Sequence, residues 1–115
     1  MKLQNLDRAI VRTEKISDYL LSTVHPAGRH KARFFGLFGF SRNAPEALTQ
    51  SLIEHARSNE VSAVDRTVFG TRYTIDGTVV SPDGRNPRLR VISFIESGSD
   101  TPYFVTAYPL PELKT

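Results

Sequence analysis

The sequence predicts an α+β fold, with N-terminal helices packed on one face of an antiparallel β-meander of three to four strands. Two halves of different character and the turn signals between them carry this expectation. Up to about residue 59 apolar residues recur at helical spacing; beyond Val61 they fall in short β-rich runs. Asp83-Gly84 and Gly98 separate those runs as hairpin signals. With 115 residues, 39% of them hydrophobic, the chain has enough apolar matter for one packed core and not for two. One domain over residues 1–115 is therefore expected: a helical half over about 1–59, a strand-rich half over about 60–110 and a short proline-containing tail.

The first helix is predicted over about Thr13 to Leu21, because Ile16, Tyr19 and Leu20 share one face and Thr13 can cap its start. His25-Pro26 breaks the chain. A second helix should open at Pro26, whose fixed φ suits a first helical position, and run to Leu37 or Phe38, where Gly39 ends it. On a helical wheel Ala27, Phe34, Phe35, Leu37 and Phe38 form its apolar face, with His30 and Lys31 on the same side and Arg29, Ala32, Arg33 and Gly36 opposite. A third helix is expected from Asn43 to about Arg57, with Asn43 and Glu46 as a capping pair and Leu48, Leu52 and Ala56 as the buried stripe. Three strands follow, Val68 to Val80, Arg88 to Glu96 and Tyr103 to Tyr108, and Pro109 and Pro111 stop the last of them.

Lys and Arg number 15 against 12 Asp and Glu, a net charge of +3. Its distribution says more than the total. Between His25 and Arg42 stand Arg29, Lys31, Arg33 and Arg42 with no acid, and between Arg66 and Arg90 five arginines face Asp76 and Asp83 alone. Two such segments either converge on a polyanion or are a solvated surface. The absence of cysteine excludes disulfides, thiolate nucleophiles and sulfur-based zinc sites, and it suits a reducing cytosol. No signal-like N-terminus or bilayer-length apolar run is present, so neither secretion nor membrane insertion is expected.

Lys31 is the sharpest anomaly, since an ammonium among phenylalanines either snorkels to the helix edge or sits partly desolvated with a partner. His25, Arg29 and His30 gather near the start of the second helix, where free N–H groups favour anions; as a lone histidine before a proline, His25 reads first as a turn or capping residue. His55, near the end of the third helix, reads as a surface residue at the negative dipole end. No phosphate-cradling glycine loop, metal-ligand spacing or nucleophile elbow is found, so no cofactor and no metal is expected. What remains is a basic set with histidine, lysine, arginine, threonine and tyrosine, the groups that metal-free RNA cleavage needs.

Particular strings add to this: Glu14 to Leu21 (EKISDYLL), His25 to Phe35 (HPAGRHKARFF), Phe69 to Tyr73 (FGTRY), Pro82 to Arg85 (PDGR), and Asp100-Thr101-Pro102 leading to Val105 to Pro109 (VTAYP). Together they resemble a bacterial family of largely uncharacterised small domains, found free-standing and as the C-terminal piece of polymorphic toxins of the filamentous-haemagglutinin type. That family looks like the small α+β ribonuclease toxins typified by barnase, EndoU, some colicins and RelE. The resemblance spans about Glu14 to Pro109. Its His-Pro-x-Gly-x-x-Lys-Ala motif falls on His25, Pro26, Gly28, Lys31 and Ala32, its Gly-x-x-Tyr on Gly70 and Tyr73, and its Thr-Ala-Tyr on Thr106, Ala107 and Tyr108. Where the family reads Val-Arg-Thr-x-Trp, this chain reads Leu89-Arg90-Val91-Ile92-Ser93, keeping the arginine and losing the threonine and tryptophan.

The resemblance implies metal-free cleavage of RNA, such as tRNA or mRNA, a cognate antitoxin or immunity protein, and a site between the second helix and the sheet. On this reading Lys31 and Arg90 meet transition-state charge, His25 or His30 moves the proton, and Thr106 with Tyr73 contacts phosphate or ribose. Arg29, Arg72, Arg88 and Tyr108 complete the substrate-binding set. The alternative is a non-catalytic module that binds nucleic acid or a protein through the open sheet face.

Overall fold

A computed structural model describes residues 1–111. After a 3-10 turn at Leu6–Arg8, α1 (Thr13–Lys15) runs directly into a wide π turn (Ile16–Leu20), closed where the Leu21 N–H donates to the Ile16 carbonyl at 2.9 Å. The first helix is thus present but wide-turned, and Arg12 rather than Thr13 stands at its N-cap, with no side-chain cap bond. The π turn buries Ile16 and Leu20 and leaves Tyr19 half-exposed at the rim.

α2 covers Arg29–Leu37, three residues later than a start at Pro26 would give. The delay has a local cause. The His25 Nδ1 accepts the N–H groups of Ala27 and Gly28, both at 3.0 Å, which ties Pro26 to Gly28 into a turn ahead of the helix. The buried stripe of α2 is Ala32 and Phe35, with Phe34 and Phe38 half-buried beside it; contrary to the wheel, Ala32 is buried while Ala27 and Leu37 are exposed. α3 covers Pro45–Ser58 with Pro45 at its first turn, and Ala44, not Asn43, at the N-cap. Leu48, Leu52 and Ala56 are buried as expected.

The sheet is a four-stranded antiparallel meander in chain order: β1 (Val61–Thr67), β2 (Gly70–Thr78), β3 (Arg88–Glu96) and β4 (Tyr103–Pro109). The strand expected from Val68 to Val80 is β2, which starts later, at Gly70, because Val68-Phe69 form the turn out of β1, a strand the sequence pattern does not show. There the Thr67 hydroxyl accepts the Phe69 N–H and donates to the Gly70 carbonyl, a turn with no Asn-Gly or Asp-Gly signature. At Gly70 φ is +148°, and a Cβ would stand 2.3 Å from the Ile95 carbonyl oxygen, so only glycine fits the start of β2.

The helices cover one face of the sheet. Ile16, Leu20, Phe35, Leu48 and Leu52 pack there on Leu89, Val91, Phe104 and Ala107. A second cluster joins Leu3 and Ala56 to Ile75 and Ile95. Each fully buried Leu, Ile or Phe contributes about 1.5–3 kcal/mol relative to exposure. His55 belongs to this interior and not to the surface: it is 2% exposed, and its Nε2–H is shared between the carbonyls of Leu89 at 2.9 Å and Gly77 at 3.2 Å. α3 turns that residue toward β2 and β3, and burial pushes its pKa down despite the two carbonyl contacts.

Candidate functional site

Lys31 projects from α2 past the edge strand β4. Its ammonium donates to the Tyr19 hydroxyl at 2.7 Å and to Thr106 Oγ1 at 2.8 Å, and lies 4.2 Å from the Tyr108 ring centroid and 4.9 Å from that of Tyr19. Tyr19 and Thr106 oxygens are 3.3 Å apart, which closes a triangle. An ammonium has three N–H donors; two are spent here, and among the described residues Lys31 forms no ion pair with a carboxylate. The head group is therefore held at a partly desolvated spot and does not simply snorkel into solvent.

Two backbone features bring these side chains together. Gly28 lets the start of α2 press on the π turn, for a Cβ there would be 2.0 Å from the Tyr19 carbonyl oxygen. In β4 a bulge leaves Val105 as the extra residue: Phe104 pairs with Ser93, while Thr106 pairs with Ile92. Phe104 is thereby kept in the core while Thr106 and Tyr108 emerge on the opposite face, where strict alternation would have put Phe104 and Thr106 on one side.

That opposite face is an open groove of about 510 Å³, bounded among others by Arg72, Arg90, Ile92, Thr106 and Tyr108. Arg90, the register partner of Tyr108, is forked onto Asp76 through Nε at 2.8 Å and Nη2 at 2.9 Å. This bidentate bond is the main reason the Asp76 carboxyl lies below the usual carboxylate range. Arg72 reaches Asp65 at 3.5 Å, and Arg88, also on this face, donates to the Pro111 carbonyl. At Tyr19 burial pushes the phenol pKa up, but the hydrogen bonds from Lys31 and Thr106 and the charges of Lys31 and Lys15 outweigh it, so the pKa is lowered.

Of the residues singled out from sequence, Thr106 and Tyr108 both meet Lys31, and Arg90, Arg72 and Arg88 share the same face of the sheet. The others are placed differently. His25 packs edge-on against Tyr19, with ring centroids 5.1 Å apart, but its Nδ1 is committed to the turn before α2. A ring accepting two N–H groups at Nδ1 carries its proton at Nε2 and has no lone pair there to take a proton from substrate; its role is the capping one. His30 and Arg29 are exposed on the first turn of α2, outside the Lys31 contacts. Tyr73 pairs with Ser93 and packs against the second core cluster, on the side of the sheet away from the groove. Val91 and Ser93 are buried on that helix-covered side as well, so the departures from the family pattern line the core and do not face the groove.

Tyr19, which the sequence pattern places only on the shared face of the first helix with Ile16 and Leu20, is the site residue that pattern misses. The available signal was its hydroxyl: a tyrosine on a buried helical stripe needs a polar partner for its O–H.

Among the described residues no three His, Asp or Glu side chains come together as a metal would require, and no helix is long and apolar enough to cross a membrane. The crevice between the N-terminal segment and α3 is small, about 20 Å³, and is lined mainly by apolar side chains. The groove beside Lys31 is the place where charge, aromatic surface and access coincide. No curated protein and no solved structure matches this chain. A family model matches residues 2–111, nearly the whole sequence, and the chain accordingly belongs to the family described as a domain of unknown function, DUF6883.

Proposed function

We propose that the protein is a metal-independent endoribonuclease toxin of a bacterial toxin–antitoxin or polymorphic toxin system, acting in the cytoplasm on RNA laid across the open face of the sheet. The observation that carries the reading is the Lys31 ammonium, held by Tyr19 and Thr106 at the rim of the groove with no carboxylate among the described residues to neutralise it. When a 2′-hydroxyl attacks its own phosphate, negative charge grows on the non-bridging oxygens, and a fixed cation in a partly desolvated site lowers that barrier more than one in water. Arg90, oriented by Asp76 and opposite Tyr108 on the neighbouring strand, supplies a second positive group. Tyr108 offers an aromatic face for a base. A cognate antitoxin or immunity protein would cover this same face.

Incubating the purified protein with tRNA and with total RNA in EDTA tests the reading. Fragments ending in 2′,3′-cyclic phosphate and 5′-hydroxyl are expected, together with slowed growth on expression without a partner. Intact RNA in both incubations and unaffected growth would refute it.

A second reading, a non-catalytic module binding nucleic acid or protein, is favoured by one specific observation: Arg72 and Arg90 are already paired with Asp65 and Asp76. RNA binding without turnover, weakening with salt by a slope near −0.7 per neutralised phosphate, would support it for nucleic acid. A salt-insensitive apolar interface would point to a protein.

A further inference from the structure

We propose that Tyr19 is a catalytic residue of this site, the group that takes the proton from the attacking 2′-hydroxyl, while the neighbouring Lys31 ammonium holds both the phenolate and the phosphate. The proposal rests on the ribonuclease reading above and goes beyond it by naming the base. Such a reaction needs a proton acceptor within hydrogen-bond reach of the attacking oxygen, and the two histidines do not supply one beside Lys31. His25 has its Nδ1 lone pair spent on Ala27 and Gly28, and His30 is exposed on another turn of α2.

The Tyr19 hydroxyl is where an acceptor is wanted. It lies 2.7 Å from the Lys31 ammonium and 3.3 Å from Thr106 Oγ1, so its ionised form would accept two hydrogen bonds and stand beside a full positive charge. Of the other surrounding groups Lys15 favours the same form. Lys15, on the Tyr19 segment, lies 5.8 Å from the ring centroid; the His25 ring meets it edge-on; and β4 contributes Thr106 and Tyr108 but no acid. Asp18, next in the chain, is engaged by Arg42. The lowered phenol pKa agrees with this arrangement.

The step balances without a metal or an added reagent. The 2′-O–H bond breaks and its proton passes to the Tyr19 phenolate. The freed 2′-oxygen pair forms the new bond to phosphorus, and the P–O5′ bond breaks with its electron pair leaving on O5′. That oxygen takes a proton from solvent water, and Tyr19 returns to solvent the proton it accepted. The products are a 2′,3′-cyclic phosphate and a 5′-hydroxyl.

The test compares wild type, Tyr19→Phe and a protein with 3-fluorotyrosine placed at position 19, each on RNA in EDTA across pH. Tyr19→Phe should lower kcat by on the order of 10²-fold or more, with KM little changed. Fluorination acidifies the phenol while changing one atom, so the rising limb of the kcat/KM profile should move to lower pH. If wild type cleaves and Tyr19→Phe cleaves equally well, Tyr19 is not the base and the ribonuclease reading stands. A Tyr19→Phe loss with an unmoved fluorotyrosine profile would also overturn the proposal, leaving Tyr19 only to hold Lys31. Should Tyr19→Phe fail to fold, the fluorotyrosine profile decides alone. No cleavage by wild type would defeat the ribonuclease reading and this assignment with it.

Discussion

Lys31 and Thr106, 75 residues apart in the chain, meet at 2.8 Å where α2 passes the outer edge of β4. The contact depends on two local irregularities, the Gly28 approach to Tyr19 and the bulge at Val105. It joins the helical half to the strand-rich half where a cation, two hydroxyls and an exposed aromatic ring converge. Several consequences of this geometry are measurable.

Gly28→Ala places a methyl group where the Tyr19 carbonyl oxygen already stands 2.0 Å away, so α2 and the π turn must separate. The expected loss is about 1–3 kcal/mol, the usual cost of forcing an extra methyl into a packed site. Chemical denaturation measures it. Because the same shift pulls Tyr19 from Lys31, activity should fall further than the loss of folded protein accounts for.

His25→Ala removes the acceptor of two N–H groups ahead of α2 and should cost about 1 kcal/mol, as loss of a capping side chain does. Cleavage of RNA per folded molecule should stay within a few-fold of wild type. A drop of 10²-fold at unchanged fold would return proton transfer to His25.

The α+β order, the buried stripe of α3 and the β3 strand were legible because they follow simple periods: Leu48, Leu52 and Ala56 at four-residue spacing, and Leu89, Val91, Ser93 and Ile95 alternating inward. What escaped has a physical reason each time. β1 lies at the sheet edge with nearly all its residues exposed, so it carries no apolar alternation to read. The Thr67 turn uses a hydroxyl in place of a glycine signature. His55 gave no sign of burial, because its two carbonyl partners come from β2 and β3, far along the chain. At the site, Lys31, Thr106 and Tyr108 were legible as residue types. Their union with Tyr19 was not, since a bulge and a close helix approach decide it and neither has a period.

His55 makes stability depend on pH in a definite direction. Its pKa is lowered in the fold by burial, and its buried Nδ1 has no partner among the described residues, so protonation would leave an N–H unsatisfied in the core. A depressed histidine pKa means the unfolded chain binds the proton first. Its contribution is therefore fully present above about pH 6.5, the ordinary histidine value, and is lost as pH falls from there toward the lower folded value. The melting temperature of wild type should fall over that window. In His55→Gln, which keeps an N–H donor for the Leu89 carbonyl and does not titrate, the fall should be smaller. Equal slopes in the two proteins would contradict this account of His55.

The central claim is that the Lys31 charge acts in catalysis and does more than pack. Lys31→Met keeps the stem and removes the ammonium, and Arg33→Met, exposed on another face of α2, is the matched control. The measurement is the rate of RNA cleavage in EDTA by wild type and both variants, each shown folded by circular dichroism. The account predicts a loss on the order of 10²-fold or more for Lys31→Met, the scale of one preorganised charge-stabilising donor, and near wild-type turnover for Arg33→Met. Equal turnover by Lys31→Met and wild type would contradict it.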